Sequence, residues 1–287
     1  MINEQALKDR LQTIAREKRI PFNACWKQLL LERFLARLGR STYAHNLIFK
    51  GGFLLSYLMK IGRETVDLDF LLIHMTAEKR ELQKACEEIA AIHCDDGFSF
   101  AFVKIERLSQ PHMNYPGYRI TLNATFAKMN DKIHVDIGVG DTVHPEPCEI
   151  QLTQYRGKPF FEGFISLLVY PPESIFAEKL ETVLSKGARN SRMKDYHDLY
   201  LLSCSRLIDP IKLKKAISET FANRGTPLTL IQFEPTKLRS LQQLWTAHFS
   251  GLGDIAKNLK LPEDIGEVIE KINQIIKPLR NLIYNKK

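Results

Sequence analysis

The chain has 287 residues, 44% hydrophobic and 26% charged, which is the composition of a folded globular protein and excludes a disordered or fibrous one. No run approaches the ~20 apolar residues of a membrane span, and no apolar region follows the N-terminus, so we expect neither a transmembrane segment nor a signal peptide. The net charge of +8 is unevenly distributed: residues 1–50 carry +6, residues 51–178 carry −6, and the remainder is basic. Carboxylates that bind metal, between basic surfaces that bind a polyanion, would explain this distribution, and chance is the alternative.

The first elements are predicted to be helices. Apolar residues recur at helical spacing over Ala6–Ala15, and Pro21 ends this helix. Asn23 is expected to cap a second helix, whose apolar face extends over Trp26–Leu38. We assign residues 1–44 to an N-terminal helical segment.

The pattern then changes to that of an α+β domain. A short apolar helix over Phe53–Met59 precedes a strand that begins at Val66, and a helix over Ala77–Ala91 follows. Three more strands are predicted, separated by turn residues, over 98–106, 118–126 and 132–139. This order predicts a mixed or antiparallel sheet with helices on one side, assigned to residues 45–170.

Two prolines, Pro171-Pro172, mark the start of a helical C-terminal domain over residues 171–287. Asp209 is expected to cap one of its helices, with Pro210 in the first turn. The five helices are predicted over 173–184, 192–203, 209–222, 236–249 and 263–284. The five cysteines of the chain are scattered and form no C-x-x-C pair, which indicates reduced thiols in a cytoplasmic protein.

The sharpest local feature is a pair of aspartates, Asp67 and Asp69. On a strand, residues i and i+2 project from one face with their Cα atoms ~6.5–7 Å apart, so the two carboxylates would converge. Converging carboxylates repel each other unless a cation lies between them, and hard divalent ions such as Mg²⁺ suit both carboxylate oxygens and phosphate substrates. Alone, such a pair is more often the exposed face of a strand.

Three neighbouring features favour a site. Paired glycines at a helix start, Gly51-Gly52, let the backbone approach a phosphate where the helix N-terminus favours an anion. Asp136 alternates with the apolar residues of its own strand and would add a third carboxylate. Arg63, four residues before Asp67, could neutralise phosphate charge.

A second charged group follows the two prolines. Asp195 and Asp198 stand three residues apart on a predicted helix and share a face. Lys179 is well placed to act as a point-charge ligand of phosphate. Further basic residues lie nearby in the sequence, namely Lys186, Arg189, Arg192 and Lys194. The alternative is a solvated pair of charged helices.

Taken in order, these motifs resemble the AbiEii/AbiGii toxin family of nucleotidyltransferase-like proteins, the toxins of bacterial and archaeal toxin–antitoxin and abortive-infection systems. The resemblance covers about residues 20–205 and rests on Lys50-Gly51-Gly52, Arg63-x-Thr65-x-Asp67-x-Asp69-Phe70, Asp136-Ile137-Gly138, Ala177-Glu178-Lys179-Leu180 and Arg192–Leu199. It implies a polymerase-beta-like nucleotidyltransferase fold, a mixed sheet with flanking helices, followed by a helical C-terminal domain.

The resemblance also implies an activity and its partners. The protein would be a Mg²⁺-dependent toxin that transfers a nucleotide from an NTP to RNA, the tRNA 3′ end in characterised relatives, and so blocks translation. A cognate antitoxin is implied, with a winged-helix protein as one candidate, and no membrane partner.

Site residues are carried over from the resemblance by position. Metal binding falls to Asp67, Asp69 and Asp136. Catalytic roles fall to these three together with Lys179 and Asp195. Nucleotide binding falls to Lys50, Gly51, Gly52, Arg63, Thr65, Lys179, Arg192, Lys194 and Asp198.

Several alternatives stay open at this point. The third carboxylate is either Asp136 or Asp141, and the second basic residue of the late motif is Lys186, Arg189 or neither. Competing functions are a small-molecule nucleotidyltransferase like those acting on aminoglycosides, and a non-catalytic module that binds NTP or antitoxin. A nuclease-type metal site would use His134, Asp136, Asp141 and His144. The basic N-terminal helices either extend an RNA track or are simply solvated.

Overall fold

The computed structural model describes residues 2–108, 117–187 and 191–284. The chain forms two compact units. The first contains residues 1–58, 64–140 and 145–170, and the second contains residues 59–63, 141–144 and 171–287. Two short segments before residue 171 therefore belong to the second unit, and they carry Arg63 and Asp141.

Two helices begin the first unit, α1 (Glu4–Lys18) and α2 (Phe22–Arg40). The side chain of Asn3 caps α1 by accepting a hydrogen bond from the N–H of Ala6. The predicted capping of α2 by Asn23 is wrong, because the helix begins at Phe22, directly after Pro21, and Asn23 lies in its first turn. Proline has a φ suited to a helix start and no N–H to leave unpaired, so the chain can enter this helix without a side-chain cap.

A seven-stranded mixed sheet forms the centre of the first unit, in the order β3-β4-β5-β2-β1-β9-β6. Its strands are β1 (Leu47–Lys50), β2 (Asp67–Leu72), β3 (Phe98–Leu108), β4 (Gly117–Phe126), β5 (Met129–Val139), β6 (Glu146–Gln151) and β9 (Phe164–Val169). β2 runs parallel to β5 and β1 parallel to β9, while the other neighbours are antiparallel. The predicted α+β class, a mixed sheet with flanking helices, is confirmed.

Two helices cover one face of this sheet, α2 and α4 (Lys79–Ala91). Phe34 of α2, Leu82 of α4 and Ile137 of β5 line the same small apolar cavity. Because side chains alternate along a strand, Asp136 projects from the opposite face to Ile137. A short helix, α3 (Gly51–Leu58), follows β1 directly, and a separate hairpin is formed by β7 (Gln154–Tyr155) and β8 (Lys158–Pro159).

The second unit is helical. Its helices are α5 (Pro172–Lys186), α6 (Met193–Cys204), α7 (Pro210–Arg224), α8 (Pro235–Leu252), α9 (Asp254–Asn258) and α10 (Ile265–Tyr284). Five of them match the predicted helices, and α9 is an addition in a glycine-containing loop. Asp209 caps α7 as predicted, since its carboxylate accepts from the N–H groups of Ile211 and Lys212. Within the described ranges, no helix combines the length and apolar character needed to cross a membrane.

Candidate active site

Neighbouring strands bring four charged residues into one row across the sheet. Asp69 of β2 lies in register with Asp136 of β5 on one side and with Lys50 of β1 on the other. Asp136 in turn lies opposite Arg119 of β4. From β4 to β1 the row therefore reads Arg119, Asp136, Asp69, Lys50, with two carboxylates between two cations, and Glu106 of β3 lies opposite Arg119. Asp67 projects from the same face two residues before Asp69.

Arg119 makes the closest contacts of this row. Its Nε and Nη2 atoms each donate to one oxygen of Asp136 at 2.7 Å, and Nη2 also donates to Oδ2 of Asp67 at 3.2 Å. The side chains are 35% (Arg119), 20% (Asp136) and 29% (Asp67) exposed, so they are open to a ligand from solvent. The hydrogen bonds to Asp136 raise the pKa of Arg119 further above its ordinary value, so the guanidinium keeps its charge.

The backbone of Gly51 packs against the carboxylate of Asp69. Gly51 has a φ of +77°, a conformation that L side chains rarely adopt. A Cβ atom at this position would lie 2.6 Å from Cγ and 2.7 Å from Cβ of Asp69. Only glycine combines this φ with the absence of a Cβ atom. The first turn of α3, which includes Gly52, therefore begins beside the acidic pair. Helix N-termini bind anions such as phosphate because their first N–H groups have no helical partner.

We predict that Gly51→Ala destabilises the protein more than Gly157→Ala does. Gly157 shares the left-handed conformation, with a φ of +73°, but nothing lies within 4 Å of a Cβ atom there. Gly157→Ala therefore has only the backbone strain of about 1 kcal/mol, whereas Gly51→Ala must also displace Asp69. We expect a further loss of about 1–3 kcal/mol in the free energy of unfolding, from overpacking. Equal losses in urea titrations of both variants would show that the Asp69 contact has no cost.

Two other predicted residues of the first unit lie at the edges of this arrangement. The Nζ atom of Lys50 is 3.5 Å from the hydroxyl of Tyr170 and 4.7 Å from the centre of its ring, a cation–π contact. Thr65 is part-buried in the irregular segment before β2. The local sequence pattern did not single out Tyr170 or Arg119.

The predicted late motif forms a buried ionic cluster within the second unit. Nζ of Lys179 lies 3.0 Å from Oδ1 of Asp195 and 2.9 Å from Oδ2 of Asp198. Arg63 donates to both oxygens of Asp198, at 2.9 and 2.6 Å. Nε of Arg192 lies 3.4 Å from Oδ2 of Asp195. Arg63, Lys179 and Arg192, which were predicted to bind nucleotide, are thus each paired with a carboxylate in this cluster.

Charge pairing within this cluster outweighs burial. Burial opposes ionisation of Asp198, but Lys179 and Arg63 hold its pKa well below its usual range. Burial likewise opposes the charge of Lys179, while Asp198 and Asp195 raise its pKa above the ordinary value. Lys194 is exposed on the first turn of α6, and Arg189, a candidate for the second basic residue, lies outside the described residues.

A histidine pair lies next to this cluster on α6 and α8. The carbonyl of Ile61 can only accept, so the Nε2–H of His197 donates to it at 2.7 Å. Nδ1 of His197 is 2.9 Å from Nε2 of His248. When His197 is neutral, its Nδ1 accepts a hydrogen bond from the Nε2–H of His248. Burial lowers the pKa of His197 to about 4 and, with Arg63, lowers that of His248.

We predict that this pair makes the protein less stable as the pH falls from about 6.5 to 4. The unfolded chain binds a proton at His197 below its ordinary pKa of about 6.5, whereas the folded chain does so only near 4. The unfolded state thus binds more protons in this window, and about 3 kcal/mol is lost. His197→Gln should remove this loss from urea titrations across the window. A variant with the same pH slope as the wild-type protein would contradict the assignment.

Asp141, the alternative third carboxylate, has a different place in the structure. It accepts two hydrogen bonds from Arg224, at 3.0 and 2.9 Å, inside the second unit. Arg224 also donates to Glu181 at 2.7 Å and lies 3.7 Å from Glu178. Asp136, by contrast, shares the row with Asp69. Of the two candidates left open by the sequence, Asp136 is the neighbour of the acidic pair in the sheet.

The four residues of the nuclease alternative contact different partners. His134 lies 3.2 Å from the hydroxyl of Thr121, and His144 lies 3.3 Å from Glu219. Asp136 and Asp141 bind Arg119 and Arg224 as described above. Among residues 2–108, 117–187 and 191–284, no group of three or more His, Cys, Asp or Glu side chains is arranged to hold a metal ion.

Comparison with known proteins identifies relatives of the chain. The family model described as "Nucleotidyl transferase AbiEii toxin, Type IV TA system" matches residues 33–270. Among solved structures, one assigned as a nucleotidyltransferase from H. pylori is 14% identical, with a TM-score of 0.46, over 93% of this chain and 99% of that chain. JHP933 from Helicobacter pylori is 13% identical, with a TM-score of 0.46, over 91% and 93% of the two chains. A search of the curated proteins gave no match.

Proposed function

Because the chain belongs to the AbiEii nucleotidyl transferase toxin family of type IV toxin–antitoxin systems, we propose that it transfers a nucleotide from an NTP to RNA in a Mg²⁺-dependent reaction. The acceptor that we propose is the 3′ end of tRNA, as the resemblance of its motifs implies. Addition of a nucleotide there would block the terminal ribose that must accept the amino acid, and so would prevent aminoacylation and translation.

The observation that carries this proposal is the acidic pair beside the start of α3. Asp67 and Asp69 offer the hard oxygen ligands that Mg²⁺ prefers. The carboxylate of Asp69 packs against the backbone of Gly51 at the start of α3, so a phosphate bound to that ion would lie near the helix N-terminus. The donor chemistry therefore fits the ion, which when bound would neutralise charge on the phosphates and on the leaving group.

The reaction that we propose is an in-line displacement. A hydroxyl of the acceptor loses its proton to solvent as its oxygen forms a bond to the α-phosphorus, the bond to the bridging oxygen of the β-phosphate breaks, and pyrophosphate leaves. The protein contributes mainly position and electrostatic stabilisation. In the first unit, Lys50 and the backbone of Gly51 and Gly52 would hold phosphate oxygens. Arg63 and Lys179, which were also predicted to bind nucleotide, both pair with Asp198 within the second unit.

An RNA acceptor is supported by a basic surface of the first unit, which we call the hairpin surface: Arg10, Tyr155, Arg156 and Lys158. The guanidinium carbons of Arg10 and Arg156 lie 5.6 and 5.2 Å from the centre of the Tyr155 ring. Arg156 and Lys158 are exposed at the tip of the hairpin. Cations around an aromatic ring suit a phosphate backbone with unstacked bases, and a small-molecule acceptor would not require them.

The experiment that tests this proposal offers the protein a mixture of RNA acceptors with one NTP at a time. Total RNA, Mg²⁺ and each α-labelled NTP in turn are incubated with the protein, and the products are separated by size. We expect label on tRNA-sized RNA, no label in EDTA, and none on tRNA whose 3′ diol has been destroyed by periodate. Label on an added aminoglycoside instead would favour the small-molecule enzyme. Tight NTP binding with no labelled product would favour the non-catalytic module.

The toxin assignment also implies an antitoxin. We propose a winged-helix protein encoded by a neighbouring gene, whose co-expression relieves the toxicity of this chain. Toxicity that persists with Asp67→Asn and Lys179→Met together would show that growth arrest does not depend on nucleotide transfer.

A further inference from the structure

Arg119 engages the same oxygen atoms that a second metal ion would use. Its fork covers both oxygens of Asp136 and reaches Oδ2 of Asp67. A divalent ion held by Asp136 would have to compete with the guanidinium for the two oxygens of that carboxylate. The guanidinium in this position and a second ion at Asp136 are therefore alternatives.

The sheet fixes the position of this guanidinium. Arg119 and Asp136 are backbone partners in the antiparallel pair β4–β5, and directly opposed side chains on a sheet face lie within contact distance. A planar fork that meets a carboxylate through two parallel hydrogen bonds is the strongest form of this ion pair. The pair is thus a built feature of the sheet.

The local charge balance agrees with a single ion. Asp67, Asp69 and Asp136 supply three negative charges, while Arg119 and Lys50 supply two positive ones from the flanking strands. Beyond Arg119, the exposed ion pair of Glu106 with Lys104 on β3 adds no net charge. One divalent ion already reverses the remaining formal charge. A second ion would create a strong local excess of positive charge before any nucleotide arrived.

We propose that Arg119 serves as a fixed cation of this site. It neutralises Asp136 in place of a second divalent ion, so that the protein alone binds one divalent ion, at Asp67 and Asp69. Arg119 is then a positioning residue: Asp136 holds the guanidinium, and the guanidinium holds Asp67 of the acidic pair. This inference rests on the proposed function, since it assumes that the acidic pair binds metal.

The test counts bound Mn²⁺, a spectroscopic substitute for Mg²⁺, in the absence of NTP and RNA. The free ion is measured by electron paramagnetic resonance during titration of the wild-type protein and of Arg119→Gln, Arg119→Lys and the control Lys84→Gln. Lys84 is a suitable control because it is 63% exposed and pairs with Glu88 on α4, the helix on the opposite face of the sheet.

We expect about one ion per chain for the wild-type protein, for Lys84→Gln and for Arg119→Lys, which keeps the charge. Arg119→Gln should bind a second ion or hold the first about tenfold more tightly. Its melting temperature should be lower than that of the wild-type protein without metal and should recover more on addition of Mn²⁺. A merely structural arginine would give a loss of stability that Mn²⁺ does not restore.

Three results would overturn the proposal. The first is two ions of similar affinity in the wild-type protein, and the second is an Arg119→Gln protein with unchanged number of ions, affinity and Mn²⁺ response. The third is a wild-type protein that binds no Mn²⁺. The failure of the proposed function has a different signature, because that function is tested by label on RNA and this titration contains neither RNA nor NTP.

Discussion

Asp69→Asn is expected to lower the single-turnover rate of nucleotide transfer by about 10³-fold or more, since it removes one charged ligand from the acidic pair. The amide keeps the size of the side chain beside Gly51, so the fold should be retained. The measurement is a quench-flow assay with labelled NTP at saturating Mg²⁺ and acceptor RNA.

A matched control for this variant is Asp131→Asn. Asp131 lies on β5 in the same unit, pairs with Lys27 at 2.7 Å and is 37% exposed. An exposed ion pair contributes little to stability, so this variant should transfer nucleotide at nearly the wild-type rate. If Asp69→Asn and Asp131→Asn were equally active, the acidic pair would have no catalytic part.

Asp198→Asn is expected to destabilise the second unit by about 3–5 kcal/mol, the usual cost of breaking a buried ion pair. Asp198 is fully buried and accepts from Arg63 and Lys179 together, and a neutral amide cannot balance these two cations. Urea titration at pH 7, where the wild-type carboxylate is ionised, measures the loss.

Tryptophan emission can assign this loss to the second unit. The chain has two tryptophans, Trp26 in the first unit and the buried Trp245 in the second, so Trp245 reports alone in a Trp26→Phe background. The control is Asp209→Asn, since asparagine caps a helix about as well as aspartate. A loss below about 1 kcal/mol for Asp198→Asn would show that the cluster is not a stabilising one.

The sequence predicted those elements of the fold that have a clear period or punctuation. The alternation around Asp67 and Asp69 and the cap at Asp209 with Pro210 correspond to β2 and α7 in the structure. The strands β1, β6 and β9 were not predicted. β1 has four residues, too few to show a period, and all except Lys50 are buried. The short apolar run that became β9 cannot be distinguished from a buried helix by its pattern alone.

The partners of the predicted site residues could not be predicted, because they are set by strand register and by segments far apart in the sequence. The predicted strand bounds, 118–126 and 132–139, place the intervening turn around Asn130-Asp131, but the turn lies at Ala127-Lys128, where Ala127 has a φ of +51°. This register brings Arg119 opposite Asp136, and a turn placed three residues later does not. The pairing of Arg63 with Asp198, 135 residues away, has no signal in a single sequence.

The most direct test of nucleotide transfer at this site compares two positions of the label in the same triphosphate. With α-labelled NTP, we predict one labelled nucleotide in RNA for each pyrophosphate released, and both should disappear in Asp69→Asn. With γ-labelled NTP, the RNA should stay unlabelled. Incorporation of the γ-label would contradict the account, because it would mean phosphoryl rather than nucleotidyl transfer. Unchanged incorporation by Asp69→Asn would contradict the assignment of the site.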